Sequence, residues 1–124
     1  MILGIGIDMI EVDRVMEKID KSNGFREKVF SELEITFCES KKNKSENYAA
    51  RFAAKEAFLK ASGLGLMMGH QLSDIEVVND DHGKPFFNLR GDFKTKGAEH
   101  HWNKIHLSLS HLQHIACAVV ILEE

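Results

Sequence analysis

The stretch "ENYAARFAAKEAFLKAS", residues 46–62, carries the strongest helical signal in this 124-residue chain. Alanine, the best helix former, recurs along it, and neither glycine nor proline interrupts it before Gly63. The stretch therefore predicts one long helix. On a helical wheel at about 100° per residue, Arg51, Lys55 and Ser62 fall together on one narrow polar face.

Most of the helical patterns precede the long helix, and most of the strand patterns follow it. We predict strands at 75–78, 86–89, 105–109 and 115–122, a hairpin turn at 80–83 and a short helix at 92–102. Upstream we predict a strand over 2–8, a helix over 10–20, and a helix over 31–40 that begins with a capping box of Ser31 and Glu34. This order predicts a single α+β domain over residues 1–124, with an antiparallel sheet packed on the long helix.

Charge, hydropathy and cysteine usage narrow the class of protein. The formal net charge of −3 supplies no overall basic field for nucleic acid, and no apolar stretch approaches the roughly 18 residues that a membrane span needs. Cys38 and Cys117 lie far apart without a CxxC spacing, which favours reduced thiols in a cytoplasmic protein. The seven histidines form no HExxH or Cys/His ligand pattern, so we predict no transition-metal site.

The N-terminal stretch "GIGIDMIEVDR", residues 4–14, has an aspartate where a buried strand would continue with valine or isoleucine. It is not a dinucleotide-binding fingerprint, because the third glycine of G-x-G-x-x-G would fall at Met9. We expect Gly4 and Gly6 to be small strand residues that allow close packing, and Asp8 to stand at the junction between the strand and the next helix. There Asp8 could cap that helix or belong to a functional site.

Glu56 and Lys60 lie away from the polar face of the long helix, at about 140° and 180° on the same wheel. Ala49 and Ala53 lie beside them, so the two charged residues interrupt a surface that otherwise has a buried pattern. One interpretation is an i, i+4 ion pair on a solvated face. The other is a carboxylate and an ammonium that serve a metal ion and an anionic ligand, with the glycine-rich turn after the helix allowing close backbone approach.

Four motifs together resemble a known family. "GIGIDMIEVDR" at 4–14, "RFAAKEAFLKA" at 51–61, "GKP" at 83–85 and "SLSH" at 108–111 are similar, in order and spacing, to the holo-[acyl-carrier-protein] synthases, which are small 4′-phosphopantetheinyl transferases. The resemblance implies the phosphopantetheinyl transferase fold and a magnesium-dependent enzyme of fatty acid biosynthesis. Such an enzyme transfers 4′-phosphopantetheine from coenzyme A to a serine of apo acyl carrier protein. The resemblance also implies a homotrimer with active sites at the subunit interfaces.

The resemblance further implies roles for particular residues. Asp8 and Glu56 would hold Mg²⁺ at the pyrophosphate of coenzyme A, and Lys60 would contact the reacting phosphate. The base that takes the serine proton could be Glu56 or a metal-bound water. The expected coenzyme A contacts are Lys60, Gly63, Gly65, Pro85, Ser108 and His111, and the expected surface for acyl carrier protein comprises Arg14, Lys18, Lys21, Phe25, Arg26 and Lys28.

Two features of the sequence keep alternatives open. A non-catalytic module could use the basic residues of the same surface to bind an acidic protein partner, and Glu11 and Glu17 weaken the positive field of that surface. The turn "KASGLGLMMG" at 60–69 departs from the "KALGTG" that family members often have. The contacts to the nucleotide are therefore less closely specified than the carboxylate pair.

Overall fold

The computed structural model describes residues 1–64 and 71–124. None of the described helices is long and apolar enough to cross a membrane. Within these ranges the elements in chain order are β1 (Ile2–Glu11), α1 (Val12–Asp20), α2 (Phe25–Val29), α3 (Glu32–Glu39), α4 (Lys44–Ser62), a 3₁₀ turn (Leu72–Asp74), β2 (Ile75–Asn79), β3 (Pro85–Leu89), α5 (Gly91–Glu99), β4 (Lys104–His111) and β5 (Ile115–Glu123).

The described strands form antiparallel sheets, and α4 is the long helix. Strand β5 lies between β1 and β4 in a three-stranded sheet, while β2 pairs with β3 in a separate hairpin. Helix α4 packs against β1 and β5. The prediction of an α+β fold with an antiparallel sheet on the long helix is confirmed, except that β2 and β3 pair locally through their tight turn and form a second sheet.

The boundaries of β1 correct the prediction for Asp8. The strand continues to Glu11 rather than ending at Asp8, because its residues keep pairing with β5 as far as Glu11 and Ile115. Asp8 therefore lies inside the strand, opposite Ala118, and not at a strand–helix junction. Helix α1 begins after Glu11, so Asp8 is not its N-cap.

Strand β1 and helix α4 pack backbone to backbone. A Cβ at Gly4 would lie 1.9 Å from the carbonyl oxygen of Ala61, and a Cβ at Gly6 would lie 1.9 Å from that of Ala57. A side chain at either position would collide with the helix, which confirms that these glycines allow close packing. Because strand residues alternate between the two faces, Asp8 shares the helix-facing side with Gly4 and Gly6. The close approach thus brings the Asp8 carboxylate to α4.

Two of the three residues on the polar face of α4, Arg51 and Lys55, are buried. Arg51 is 2% exposed and Lys55 is 0% exposed. Lys55 Nζ donates to Glu34 Oε1 at 2.8 Å and to the carbonyl oxygens of Leu72 and Ile75 at 2.9 and 2.7 Å. Burial lowers the pKa of Lys55, and the charge of Glu34 opposes that shift. An ammonium with three oxygen partners is held in the interior at this point.

Glu34 completes the network around Lys55. It accepts from the backbone N–H of Ser31 at 2.9 Å through Oε1 and from that of Val77 at 3.0 Å through Oε2. Ser31 in turn caps α3, so the predicted capping box is confirmed. One carboxylate therefore ties α3, α4 and β2 together. Cys38, also on α3, and Cys117 are free thiols, as predicted.

Candidate functional site

Asp8, Glu56 and Lys60 come together where β1 packs on α4. Lys60 Nζ lies 3.1 Å from Asp8 Oδ1 and donates to the carbonyl oxygen of Ile7 at 2.9 Å. Lys60 thus forms its salt bridge with Asp8, across the strand–helix contact, rather than with Glu56. The Lys60 side chain is 57% exposed and the Asp8 side chain 17% exposed, so the group is accessible from solvent.

Burial and neighbouring charges act on the ionisation of Glu56. Burial of this half-buried carboxyl raises its pKa above the ordinary value, and the negative charge of Asp8 raises it further. The positive charges of Lys60 and Lys18 lower it. Two carboxylates thus lie near one ammonium that, of the pair, contacts only Asp8, and their combined charge favours a further cation.

The donor set fits Mg²⁺. This ion takes oxygen ligands and commonly uses one or two protein carboxylates, with substrate phosphates and waters completing its coordination. In the ranges 1–64 and 71–124, no group of three or more histidine, cysteine, aspartate or glutamate side chains could hold a metal. A pair of carboxylates suits an ion that arrives with a phosphate-bearing substrate.

A second set of predicted residues lines a cavity of about 340 Å³. Pro85 at the start of β3 and Ser108 and His111 on β4 all border it. His111 Nδ1 lies 2.7 Å from Glu46 Oε1, which holds the imidazole at the N-terminal part of α4. The fold therefore brings together three residues that the sequence predicted for coenzyme A.

Lys60 and Gly63, which were also predicted for coenzyme A, are not among the residues that line this cavity. Lys60 contacts the carboxylate of Asp8. Gly63 ends α4 with a φ of 74°, in the left-handed region that glycine adopts readily. Gly65 lies outside the described residues.

Arg51 lines the same cavity and was not predicted to have a function. Its guanidinium carbon lies 4.1 Å from the centre of the Phe37 ring, and Nη2 donates to Asn79 Oδ1 at 2.5 Å. Its Nε is buried and has no hydrogen-bond partner in the part of the chain that the structure describes. A buried unpaired donor beside a cavity is suited to an anionic ligand. An arginine inside an alanine-rich helix was the signal that could have identified it.

The residues predicted to bind acyl carrier protein lie on α1 and α2 and between them. Arg14 is exposed and lies 3.4 Å from Glu11. Arg26 is paired with Glu27 at 2.8 Å and with Glu39 at 3.5 Å. Carboxylates therefore compensate part of the positive charge on this surface, as the sequence indicated for Glu11.

A groove between α1 and the adjoining ends of β1 and β5 borders this surface. Lys18 extends its ammonium over the rings of Phe25 and Phe52, 5.7 and 5.8 Å from their centres. Phe25 packs against Phe52 and is only partly exposed. The groove has a volume of about 490 Å³, and its lining residues are Met9, Ile10, Glu11, Arg14, Val15, Lys18 and Ile115.

A comparison with known protein families agrees with this geometry. The sequence profile of the 4′-phosphopantetheinyl transferase superfamily matches residues 4–120. The chain belongs to the 4′-phosphopantetheinyl transferase superfamily. Membership of this superfamily confirms the resemblance drawn from the four motifs and the prediction of a transferase.

Individual relatives match almost the full length of the chain. The holo-[acyl-carrier-protein] synthase of Syntrophus aciditrophicus is 46% identical over 126 residues, covering 99% of this chain and 97% of the relative. The solved structure of the Neisseria meningitidis synthase has a TM-score of 0.91 at 29% identity and covers 100% of both chains. The Bacillus anthracis synthase, solved in complex with CoA (3′,5′-ADP), has a TM-score of 0.79 at 40% identity and covers 98% of this chain and 96% of its own. The predicted superfamily fold is thereby confirmed.

Proposed function

We propose that this chain is a holo-[acyl-carrier-protein] synthase that uses Mg²⁺. It transfers 4′-phosphopantetheine from coenzyme A to a serine of apo acyl carrier protein and leaves adenosine 3′,5′-bisphosphate. The observation that carries the proposal is the convergence of Asp8, Glu56 and Lys60 at the contact between β1 and α4. The synthases among its relatives support the choice of carrier and donor.

Each residue of this group has a chemical task in the proposal. Asp8 and Glu56 would hold Mg²⁺, which when bound neutralises charge on the pyrophosphate oxygens of coenzyme A. Lys60, with its exposed ammonium, would turn to the phosphate that is transferred. The base that accepts the serine proton would be either Glu56 or a metal-bound water.

We assign the nucleotide half of coenzyme A to the cavity of about 340 Å³ beside Arg51. Arg51, Lys84 and His111 border this cavity and would supply N–H donors for phosphate oxygens there. Ser108 and Pro85, which line the same cavity, would contact the nucleotide. Gly63 and Gly65 stay proposals for the turn that follows α4.

We assign the carrier to the basic surface on α1 and α2, next to the groove between α1 and the ends of β1 and β5. Arg14 and Lys18 line the groove itself, and the charge of Lys18 acts on Glu56 of the proposed transfer site. Electrostatic attraction would orient the acidic carrier and speed its encounter with the enzyme. The further contacts in this proposal are Lys21, Phe25, Arg26 and Lys28.

The outer face of the three-stranded sheet supports the proposed homotrimer. On β1, the side chains of Ile5, Ile7 and Met9 are 61%, 63% and 67% exposed. A continuous apolar strip of this kind marks an interaction surface. We propose that three copies assemble through it, with active sites at the subunit interfaces, each copy forming one domain over residues 1–124 and acting in the cytoplasm in fatty acid biosynthesis.

Mass spectrometry of the carrier tests the proposal. The protein is mixed with coenzyme A, Mg²⁺ and an apo acyl carrier protein, and the carrier mass should rise by that of one phosphopantetheine group. An unchanged carrier mass, with the enzyme folded by circular dichroism, would contradict the proposal. Carrier binding without measurable affinity for coenzyme A would favour the non-catalytic module instead.

A further inference from the structure

The Lys60 ammonium lies against the oxygen atoms that a cation would use at Asp8. Its Nζ is 3.1 Å from Asp8 Oδ1 and 2.9 Å from the carbonyl oxygen of Ile7. A carboxylate oxygen and a backbone carbonyl oxygen are the hard donors that Mg²⁺ also prefers. The lysine therefore already satisfies part of the negative charge at the site.

The two partners of this ion pair differ in how easily they can move. The Lys60 side chain is 57% exposed, whereas the Asp8 side chain is 17% exposed and is carried by a strand packed directly on α4. The ammonium can leave for solvent or for a bound phosphate without uncovering buried apolar surface. Asp8 has no such freedom. The pair can therefore open on the lysine side alone.

Glu56 also responds to this ammonium. It lies four residues before Lys60, on an adjacent turn of α4. The positive charges of two lysines lower the pKa of Glu56, and the effect of Lys60 is larger than that of Lys18. A single ammonium thus acts on both carboxylates, directly on Asp8 and through space on Glu56.

We propose that Lys60 is an internal counter-ion of the Asp8–Glu56 pair, which competes with a divalent cation until a substrate phosphate draws the ammonium away. The inference rests on the proposed function, because it takes Asp8 and Glu56 as the residues that hold the metal. It goes beyond that function by coupling two events at one lysine. Phosphate binding and cation binding then favour each other. A phosphate that draws Lys60 away leaves Asp8 free for the cation, and a cation at Asp8 releases Lys60 for the phosphate.

The test is the affinity of the free protein for Mn²⁺, measured by electron paramagnetic resonance without coenzyme A and repeated with Mg²⁺ as competitor. Lys60→Met should bind Mn²⁺ about 3- to 10-fold more tightly than the wild type, the change expected when one partly screened positive charge is removed beside a dication. Lys60→Arg keeps the charge and should stay within about twofold of the wild type.

Lys18→Met is the matched control. It removes the other lysine that acts on Glu56, but the Lys18 ammonium lies over the rings of Phe25 and Phe52 rather than at Asp8. Its effect on the Mn²⁺ affinity should be clearly smaller than that of Lys60→Met. Circular dichroism checks that all variants are folded.

The outcomes separate the inference from the proposed function. If the wild type binds Mn²⁺ and Lys60→Met binds it equally or more weakly, Lys60 is not a competitor and the inference alone is wrong. If Lys18→Met tightens binding as much as Lys60→Met, the contact with Asp8 is irrelevant and the inference also fails. If neither the wild type nor Lys60→Met binds Mn²⁺, removal of the ammonium frees no cation site and the inference is overturned, whereas the proposed function, in which the ion arrives with the substrate phosphate, is tested separately by the mass of the carrier.

Discussion

Two of the lysine–carboxylate ion pairs on helix α4 differ in almost everything except their chemistry. Lys55 and Glu34 are 2.8 Å apart and both side chains are 0% exposed. Lys60 and Asp8 are 3.1 Å apart, with side chains that are 57% and 17% exposed. Only four residues lie between the two lysines on one helix, yet one ammonium is enclosed by the fold and the other faces solvent.

The difference in burial separates a structural pair from a reactive one. In the interior, Lys55 has three oxygen partners and Glu34 accepts from two further backbone N–H groups, so neither can change partners cheaply. At the surface, Lys60 can release Asp8 at small cost because water replaces the lost contact. A site that must exchange ligands needs an exposed ion pair such as Lys60–Asp8, which can open. The buried pair of Lys55 and Glu34 keeps the helix that carries this site rigid.

The largest effect on stability is expected from the buried pair. Lys55→Met leaves the Glu34 carboxylate buried without its ammonium, which should lower the free energy of unfolding by about 3–5 kcal/mol. Urea denaturation at one fixed protein concentration measures it, because assembly would make stability depend on concentration.

Lys60→Met is the matched control for this prediction. It removes the same charged group from the exposed pair and should change the free energy of unfolding by less than about 1 kcal/mol. Equal losses in the two variants would show that burial does not distinguish the pairs, and the comparison would fail.

A smaller loss of stability, but a large loss of activity, is expected where β1 touches α4. The new Cβ of Gly6→Ala would lie 1.9 Å from the carbonyl oxygen of Ala57, so the strand must move off the helix. We expect the free energy of unfolding to fall by about 1–3 kcal/mol. Transfer should slow about 100-fold, because Asp8 is displaced from Glu56 and Lys60. Urea denaturation and carrier mass spectrometry measure the two effects.

Gly97→Ala is the control for Gly6→Ala. In α5 the new Cβ would meet side-chain atoms of Leu89 and Trp102 at 3.5 Å, which is ordinary contact. The variant should be neutral or more stable by up to about 1 kcal/mol, since alanine is the better helix former. If Gly6→Ala behaved like Gly97→Ala, the close packing of β1 would not position Asp8.

Local patterns predicted the elements well, and contacts between distant residues were the part that they missed. The long helix, the capping box of Ser31 and Glu34 and the strands of the second half follow from periodicity and capping within a few residues. The pair of Lys55 and Glu34 spans 21 residues and depends on how α3 packs on α4, which no local pattern encodes.

The candidate site was predictable for a different reason. The motifs around Asp8 and Glu56 resemble a family, and that resemblance linked two residues that are far apart in sequence. Periodicity alone placed Asp8 at the end of its strand, because a local pattern contains no information that pairing with β5 continues to Glu11. The buried donor of Arg51 also depends on tertiary packing, which is why it emerged only from the structure.

The most direct test of the account is the rate of phosphopantetheine transfer by Asp8→Asn and Glu56→Gln, measured beside their free energies of unfolding. We predict that each variant loses about 100-fold or more in turnover, since each lacks a charged oxygen ligand for the Mg²⁺ that would neutralise charge in the transition state. Its stability should stay within about 1 kcal/mol of the wild type. Turnover within about twofold of the wild type in folded Asp8→Asn and Glu56→Gln would contradict the assignment of this strand–helix contact as the transfer site.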